Sequence, residues 1–157
     1  MEIAVASEEA MRALAARFAA ALPPGTIVYL RGPLGVGKTT FVRGVLRALG
    51  YAGAVHSPTY TLLETYQSGN GVVCHCDLYR LMDPSELEYL GLRERLDGTA
   101  VCLIEWPERG LGELPAADIE IDIAYADGDR RLRFTTHGAT ARDTVARLAS
   151  SERRAPE

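Results

Sequence analysis

The residues with the clearest chemical meaning are Gly32, Gly37, Lys38 and Thr39, which follow the spacing G-x-x-x-x-G-K-[ST]. Glycines allow the backbone to curl until successive N–H groups point inward, and the N-terminus of a following helix makes such a concave site more positive. The lysine can bridge terminal phosphates as a point charge, and the threonine hydroxyl can bind Mg²⁺, which needs few protein ligands. The spacing therefore predicts a binding site for a nucleoside triphosphate with its magnesium ion.

The segments around this loop decide between a phosphate site and an ordinary glycine turn. An apolar run at 26–30 precedes the loop, and Phe41, Val42 and Val45 follow it with helical spacing. The motif carries functional meaning only when a strand leads into it and a helix leads out of it. Both elements are predicted here, so we expect a phosphate-binding loop between them.

Two carboxylates follow other predicted strands. Glu105 closes the apolar run 101–104, where a carboxylate that organises magnesium usually lies, although an exposed strand-end glutamate is the alternative. Asp77 ends the run 72–76 and could polarise a water molecule or reach the metal through one. The alternative for Asp77 is a salt bridge with Arg80. Together with the loop, these carboxylates would complete a site for hydrolysis.

Several further polar and aromatic residues are weaker candidates. Ser57 and Thr59 lie just past the first predicted helix after the loop, where nucleotide switches place a hydroxyl near the terminal phosphate. A Ser-Pro-Thr segment is also an ordinary entry into a strand. Trp106 either packs in the interior or covers a docking surface. Arg130 follows a hairpin turn and is either an exposed guanidinium or a nucleotide contact.

Composition limits the class of protein. With 157 residues the chain is expected to form one domain over 1–149, followed by a flexible polar tail over 150–157. The formal charge of -4 argues against tight binding of nucleic acid by the chain alone, since such binding needs clustered Lys and Arg. No apolar run is long enough to span a bilayer, and the alanine-rich stretch 10–22 is predicted to be an amphipathic helix rather than a secretion signal. We therefore expect no contact with a membrane.

The three cysteines are an odd number in a chain without an export signal, so reduced thiols in the cytoplasm are expected. Cys74, His75, Cys76 and Asp77 resemble a set of metal ligands. On a strand, however, the two cysteines face one way and the other two residues face the opposite way, so they cannot close on one ion. Buried structural cysteines are the favoured interpretation.

The predicted element order is helix, strand, phosphate loop, helix, an antiparallel strand pair, helix, strand, hairpin and helix. The strand pair is expected over 60–66 and 72–79, and the later strand over 101–106. Asp83 is expected to cap the helix after the strand pair, and the last helix is expected over 140–149. The hairpin turns at Asp127-Gly128, which predicts that Ile123 faces Leu132 and that Asp122 faces Arg133. This order indicates an α/β fold with a mixed parallel and antiparallel sheet flanked by helices, the arrangement of a single-domain P-loop nucleoside triphosphatase.

Several motifs taken together make the chain resemble the TsaE family, also called YjeE. The matching segments are Gly32-x-Leu34-Gly35-x-Gly37-Lys38-Thr39-Thr40-Phe41, Ser57-Pro58-Thr59-Tyr60, His75-x-Asp77-Leu78-Tyr79-Arg80-Leu81 and Ile104-Glu105-Trp106-Pro107. They occur in order and cover about residues 7 to 136, which makes the resemblance far more specific than the phosphate loop alone.

The resemblance implies the ATPase subunit of bacterial threonylcarbamoyladenosine synthesis, which modifies the adenosine next to the anticodon of tRNA. Its partners would be TsaB and TsaD, with TsaD carrying the transfer site and this subunit resetting the complex through ATP binding and hydrolysis. The cofactors would be ATP and Mg²⁺, hydrolysis by the isolated subunit would be slow, and tRNA would be touched only through the complex.

The resemblance also implies roles for individual residues. Lys38, Asp77 and Glu105 would be catalytic, with Thr39 and Glu105 binding Mg²⁺. Two departures from the family pattern are Pro33, which removes one backbone donor from the outer edge of the loop, and Cys76, which would alter packing only. The residues implied to contact the nucleotide are Leu34, Gly35, Val36, Gly37, Lys38, Thr39 and Thr40 of the loop, with Glu8 and Arg130 elsewhere in the chain. Thr59 is a further expected nucleotide contact, from the place that nucleotide switches give to a hydroxyl.

Two other classes of function share the phosphate loop. A small-molecule kinase would need an acceptor pocket and usually a mobile basic lid, and the basic cluster Arg130-Arg131-Arg133 lies on the hairpin, where it forms no obvious lid. A nucleotide-dependent interaction switch without useful hydrolysis would need the loop but not the two carboxylates. The sequence leaves both alternatives open.

Overall fold

A seven-stranded mixed sheet forms the centre of the part of the chain that the computed structural model describes, residues 1–58 and 60–153. The strand order is β1-β7-β6-β2-β5-β4-β3, with parallel pairing of β6, β2, β5 and β4 and antiparallel pairing at both edges. The strands are β1 Glu2–Val5, β2 Ile27–Arg31, β3 Leu63–Ser68, β4 Gly71–Asp77, β5 Val101–Glu105, β6 Ile119–Ala126 and β7 Asp129–Thr136. The α/β class with a mixed sheet is therefore confirmed.

Helices cover the sheet and enclose two apolar cores. The α-helices are α1 Glu8–Ala21, α2 Lys38–Ala48, α3 Leu92–Arg95 and α4 Ala139–Glu152, and 3₁₀ helices span Pro84–Leu90 and Pro107–Gly110. Because side chains alternate across a strand, Val28 and Leu30 of β2 belong to the larger core, whereas Tyr29 belongs to the core on the other face. The larger core includes residues of α1, α2 and α4.

Local sequence explains the first helix and its packing. Ser7 caps α1, since its Oγ accepts a hydrogen bond from the backbone N–H of Ala10 at 3.0 Å. The apolar face of α1 is buried and includes Phe18, whose ring lies 5.5 Å from that of Phe41 in α2. Helices α1 and α2 approach so closely at Gly44 that an added Cβ would lie 2.6 Å from the Cβ of Ala15. This contact fixes α2, and with it the residues that begin α2.

Strand ends differ from the sequence prediction for local reasons. The strand expected over 60–66 begins only at Leu63, because Leu62 adopts a left-handed φ of 60° and its N–H donates to the Pro58 carbonyl in a turn. The strand expected over 72–79 ends at Asp77, and the strand expected over 101–106 ends at Glu105, because Trp106 is left-handed with φ 56°. Both carboxylates therefore lie at the last residue of a strand.

One edge strand and two helical segments complete the comparison with the sequence prediction. Strand β1 was not predicted from the sequence, and it pairs with β7 at the edge of the sheet. The helix start at Asp83 is confirmed, with a capping box, but the segment it opens is a 3₁₀ helix that ends at the left-handed Gly91. The final helix α4 continues past its expected end at Ala149 to Glu152, and residues 154–157 of the expected tail lie outside the described residues.

The hairpin and the cysteines follow the sequence prediction. Ile123 pairs with Leu132 and Asp122 pairs with Arg133, as expected from a turn at 127–128. All three cysteines are free and buried in the smaller core. Within the described residues no group of three or more His, Cys, Asp or Glu side chains could hold a metal ion, and none of the helices there has the length and apolar character needed to cross a membrane.

Candidate functional site

The phosphate loop connects β2 to α2 through glycines whose backbone conformations require them. Gly32, Gly35 and Gly37 have φ values of 147°, 78° and 121°, which residues with side chains rarely adopt. Gly32 is also restricted by space, since an added Cβ would lie 2.4 Å from the Ile123 carbonyl oxygen. The loop thus forms the tight strand-to-helix turn that the motif predicts, and the N-terminus of α2 points into it.

Lys38 occupies the mouth of the loop. It is the only lysine in the chain, and its Nζ donates hydrogen bonds to the carbonyl oxygens of Gly32 at 2.6 Å and Pro33 at 2.9 Å. The ammonium also lies 4.4 Å from the centre of the Trp106 ring, a cation–π distance. Burial lowers the pKa of Lys38, and the negative charges of Glu105 and Asp77 act in the opposite direction.

Glu105 is buried beneath the loop and is held by two side chains. The Thr39 hydroxyl lies 3.0 Å from Glu105 Oε1 and 3.3 Å from Oε2, and His75 Nε2 lies 2.8 Å from Oε1. Only 2% of the Glu105 surface is exposed. Glu105 thus lies at the end of its strand beside Thr39, and it is not the exposed glutamate of the alternative interpretation.

Asp77 lies beside Glu105, because the two residues are register partners in the parallel pair of β4 and β5. Its Oδ1 accepts a hydrogen bond from the Tyr79 N–H at 3.1 Å, and its Oδ2 lies 3.5 Å from the Ser57 hydroxyl. Burial raises the pKa of Asp77, and the nearby Glu105 carboxylate raises it further. Within the described residues Asp77 makes no ion pair with Arg80, whose guanidinium instead lies 4.9 Å from the centre of the Tyr60 ring.

These side chains surround one cleft of about 350 Å³ above the loop. Its polar lining combines backbone N–H donors, an ammonium, two carboxylates and hydroxyl groups, which suits a ligand that carries several negative charges together with a cation. The lining residues are Leu34, Gly35, Gly37, Lys38, Thr39, Thr40, Ser57, Asp77, Tyr79, Arg80, Glu105 and Trp106.

Some of the expected nucleotide contacts do not line this cleft. Val36 is fully buried, and its carbonyl accepts a hydrogen bond from Arg130 Nε at 3.0 Å, so Arg130 contacts the backbone of the loop and does not line the cleft. Glu8 is exposed at the start of α1 and forms an ion pair with Arg12. Thr59 lies outside the described residues.

Two aromatic residues, Tyr79 and Trp106, form one wall of the cleft. The sequence did not predict that these two rings lie together. The rings of Tyr79 and Trp106 lie 5.0 Å apart, and the Arg109 guanidinium lies 5.1 Å and 5.7 Å from their centres. Because the strand ends before Trp106, its left-handed backbone directs the ring toward Lys38 rather than across the sheet.

His75 is a residue of the site for which no role was predicted from the sequence: it was part of a family motif and was otherwise weighed only as a metal ligand. The signal that could have identified it was present, because strand alternation places His75 on the same face as Asp77 and away from the cysteines. Parallel pairing with β5 then brings that face beside the strand that ends in Glu105.

Comparison with known proteins gives one consistent result. The model of the family described as threonylcarbamoyl adenosine biosynthesis protein TsaE matches residues 5–133. A tRNA threonylcarbamoyladenosine biosynthesis protein TsaE from Haemophilus influenzae is 50% identical over 108 residues, which span 69% of this chain and 68% of that protein. The protein of the same name from Bacillus subtilis is 40% identical over 131 residues, which span 83% and 82% of the two chains.

A solved structure agrees with these sequence relatives. The crystal structure of YdiB from Bacillus subtilis superposes with a TM-score of 0.80 at 29% identity, covering 97% of this chain and 95% of YdiB. The likeness therefore extends over the whole sheet and its helices and not only over the loop. From the family match, the relatives and the shared fold, this chain belongs to the TsaE family of proteins in tRNA threonylcarbamoyladenosine biosynthesis.

Proposed function

We propose that this protein is a Mg²⁺-dependent ATPase that acts with TsaB and TsaD in the threonylcarbamoyladenosine modification of tRNA. The observation that carries the proposal is the hydrogen bond from the Thr39 hydroxyl to Glu105, 3.0 Å long, beside Lys38 in the cleft above the loop. In phosphate-loop enzymes a loop threonine and a strand-end carboxylate hold the magnesium, and the lysine binds the terminal phosphates. Family membership connects this chemistry to the modification of tRNA.

The donor atoms at the site fit a magnesium ion. Mg²⁺ prefers oxygen ligands, and here the Thr39 hydroxyl and the Glu105 carboxylate supply them, with Asp77 beside Glu105. Thr39 donates its hydrogen to Glu105, which leaves the lone pairs of the hydroxyl oxygen available to a cation. When bound, Mg²⁺ would offset the negative charge that develops on the transferred phosphoryl group.

The protein's own groups then have distinct tasks. Lys38 is held at the mouth of the loop by two carbonyl oxygens, so it is already positioned to exchange these partners for phosphate oxygens. Asp77 is oriented by the Tyr79 N–H, and its raised pKa makes it a stronger base than an ordinary aspartate. We assign Asp77 to orienting the water that attacks the terminal phosphate.

A nucleotide titration with purified variants tests the site. Lys38→Ala is expected to weaken ATP binding about 10- to 100-fold, since a charged hydrogen bond contributes about 1.5–3 kcal/mol. Asp77→Asn is expected to bind ATP normally and to lose hydrolysis. Arg131→Gln is the matched control, because Arg131 is an exposed cation of β7 that does not line the cleft. Unchanged binding in Lys38→Ala would refute the assignment of the loop.

A second experiment tests the role of the partners. ATP turnover is expected to be slow for the isolated protein and to rise when TsaB and TsaD are added together. The products distinguish the alternatives, since a hydrolase releases the terminal phosphoryl group of ATP as inorganic phosphate, whereas a kinase transfers that group to an acceptor. If Asp77→Asn and Glu105→Gln abolish turnover and still support tRNA modification in a cell, the protein is a nucleotide-dependent switch instead.

A further inference from the structure

Within the part of the chain that the structure describes, His75 is a fully buried polar side chain with a single hydrogen-bond partner. None of its surface is exposed, its Nε2 lies 2.8 Å from Glu105 Oε1, and its Nδ1 has no partner among the described residues. A buried polar atom without a partner lowers stability, and an apolar residue would fill this strand position without that loss. The contact with Glu105 is therefore the feature of His75 that an apolar replacement could not reproduce.

The direction of this hydrogen bond follows from the chemistry of the two groups. An ionised carboxylate only accepts hydrogen bonds, so the proton of the imidazole is assigned to Nε2, and Nε2–H donates to Glu105 Oε1. Oε1 then accepts two donors, from His75 and from Thr39, whereas among the described residues Oε2 has only the longer contact of 3.3 Å with Thr39. Two donors on one oxygen fix the carboxylate plane and leave Oε2 with most of its capacity to accept.

We propose that His75 is a positioning residue that holds the Glu105 carboxylate in the orientation needed for Mg²⁺, an inference that rests on the Mg²⁺-dependent nucleotide binding proposed above. Groups that donate hydrogen bonds to a metal-binding carboxylate restrict its rotation, and their loss typically weakens metal affinity about 10- to 100-fold. His75 suits this task because β4 lies next to β5 and the imidazole arrives from beneath the cleft, where water does not compete.

The experiment compares ATP binding by calorimetry in excess Mg²⁺ and in a chelator. The dissociation constant in chelator divided by the dissociation constant in Mg²⁺ is called here the magnesium factor. It isolates the contribution of the cation to ATP binding without requiring turnover. His75→Leu, which has no donor, is expected to lower the magnesium factor about 10- to 100-fold and to leave the affinity in chelator within about twofold of wild type. His75→Gln, whose amide N–H can reach the place of Nε2–H, is expected to recover most of the factor.

Two controls separate positioning from stability. Cys76→Ala changes a buried residue of the same strand that faces the smaller core, on the opposite face of β4 from His75. This variant should lower the melting temperature and keep the magnesium factor. If His75→Leu does not fold, His75→Asn takes its place, since the shorter amide remains polar but does not reach Glu105. In the Glu105→Gln background, replacement of His75 should have no further effect on the factor.

The possible outcomes are distinct. A wild-type protein without any magnesium factor would overturn the proposed metal site together with the role of His75. A wild-type factor that His75→Leu or His75→Asn retains would overturn the role of His75 alone. Equal losses of affinity in Mg²⁺ and in chelator would likewise overturn it, because they would show general damage to the site.

Discussion

Replacing Gly44 with alanine is expected to destabilise the protein, although alanine is the stronger helix former. In an open helix this change would stabilise by about 1 kcal/mol. Here the new Cβ would lie 2.6 Å from the Cβ of Ala15 and 3.2 Å from the Cα and the carbonyl oxygen of Arg12. Neither helix can relieve this contact with a side-chain rotation, so α1 and α2 must move apart.

The magnitude follows from the competition between these terms. Overpacking against a fixed backbone costs up to about 3 kcal/mol, and the propensity gain of about 1 kcal/mol offsets part of it. A net loss of about 2 kcal/mol remains, which lowers the melting temperature by roughly 4–8 °C in a chain of this size. Calorimetric or fluorescence-detected melting of the purified variant measures this difference.

A double-mutant cycle isolates the contact. Ala15→Gly alone should cost about 2 kcal/mol, through lost helix propensity and one buried methyl group. With that methyl absent, the contact of 2.6 Å is removed and only the two contacts of 3.2 Å with Arg12 remain. Gly44→Ala should then regain up to about 1 kcal/mol, so the double variant should be more stable than either single variant. If Gly44→Ala alone is more stable than wild type, or if the two changes are additive, the close approach of α1 and α2 is refuted.

Three further predictions concern the site and its surroundings. The folded protein binds the proton of Asp77 more tightly than the unfolded chain, since its pKa is raised by burial and by Glu105, so stability falls as pH rises through the folded pKa. Asp77→Asn should therefore have a higher melting temperature than wild type at neutral pH, and this difference in melting temperature should vanish as pH falls to the ordinary aspartate pKa. A difference that stays constant across this range would contradict a raised pKa of Asp77 as its origin. A hydrogen bond to Cys74 and burial raise the pKa of the Cys102 thiol. Iodoacetamide at mildly alkaline pH should therefore label Cys102 far more slowly in the folded protein than in denaturant. Equal labelling rates would contradict the burial of Cys102. Arg130→Met removes the hydrogen bond of 3.0 Å to the loop backbone. Because such a bond contributes about 1–1.4 kcal/mol, ATP binding should weaken roughly 5- to 10-fold, whereas the control Arg131→Met should bind ATP as wild type does. Equal ATP affinities of the two variants would show that this bond does not support the loop.

The parts of the site that the sequence predicted are those encoded locally. The loop glycines and Lys38 form a contiguous motif, and Glu105 ends an apolar run, so each could be assigned to an element without knowledge of its neighbours. The register of the last hairpin was predictable because the turn at 127–128 and the alternation of isoleucines agree.

The parts that the sequence did not predict depend on contacts between distant segments. Strand β1 is short, and it pairs with β7 from the other end of the chain, so nothing in its own four residues specified it. The contact of His75 with Glu105 arises only when β4 and β5 become parallel neighbours. Likewise, the ring of Trp106 reaches Lys38 because the backbone turns left-handed at the strand end, which side-chain alternation alone does not indicate.

The most direct test of the proposed function measures threonylcarbamoyladenosine in the tRNA of a bacterial strain that lacks its own TsaE, by mass spectrometry of the nucleosides. Wild-type protein and the Arg131→Gln control are expected to restore the modification, whereas Lys38→Ala and Glu105→Gln, expressed at equal levels, are expected to leave it at the level of the empty strain. Full restoration by Lys38→Ala would contradict the claim that nucleotide chemistry in this cleft drives the modification.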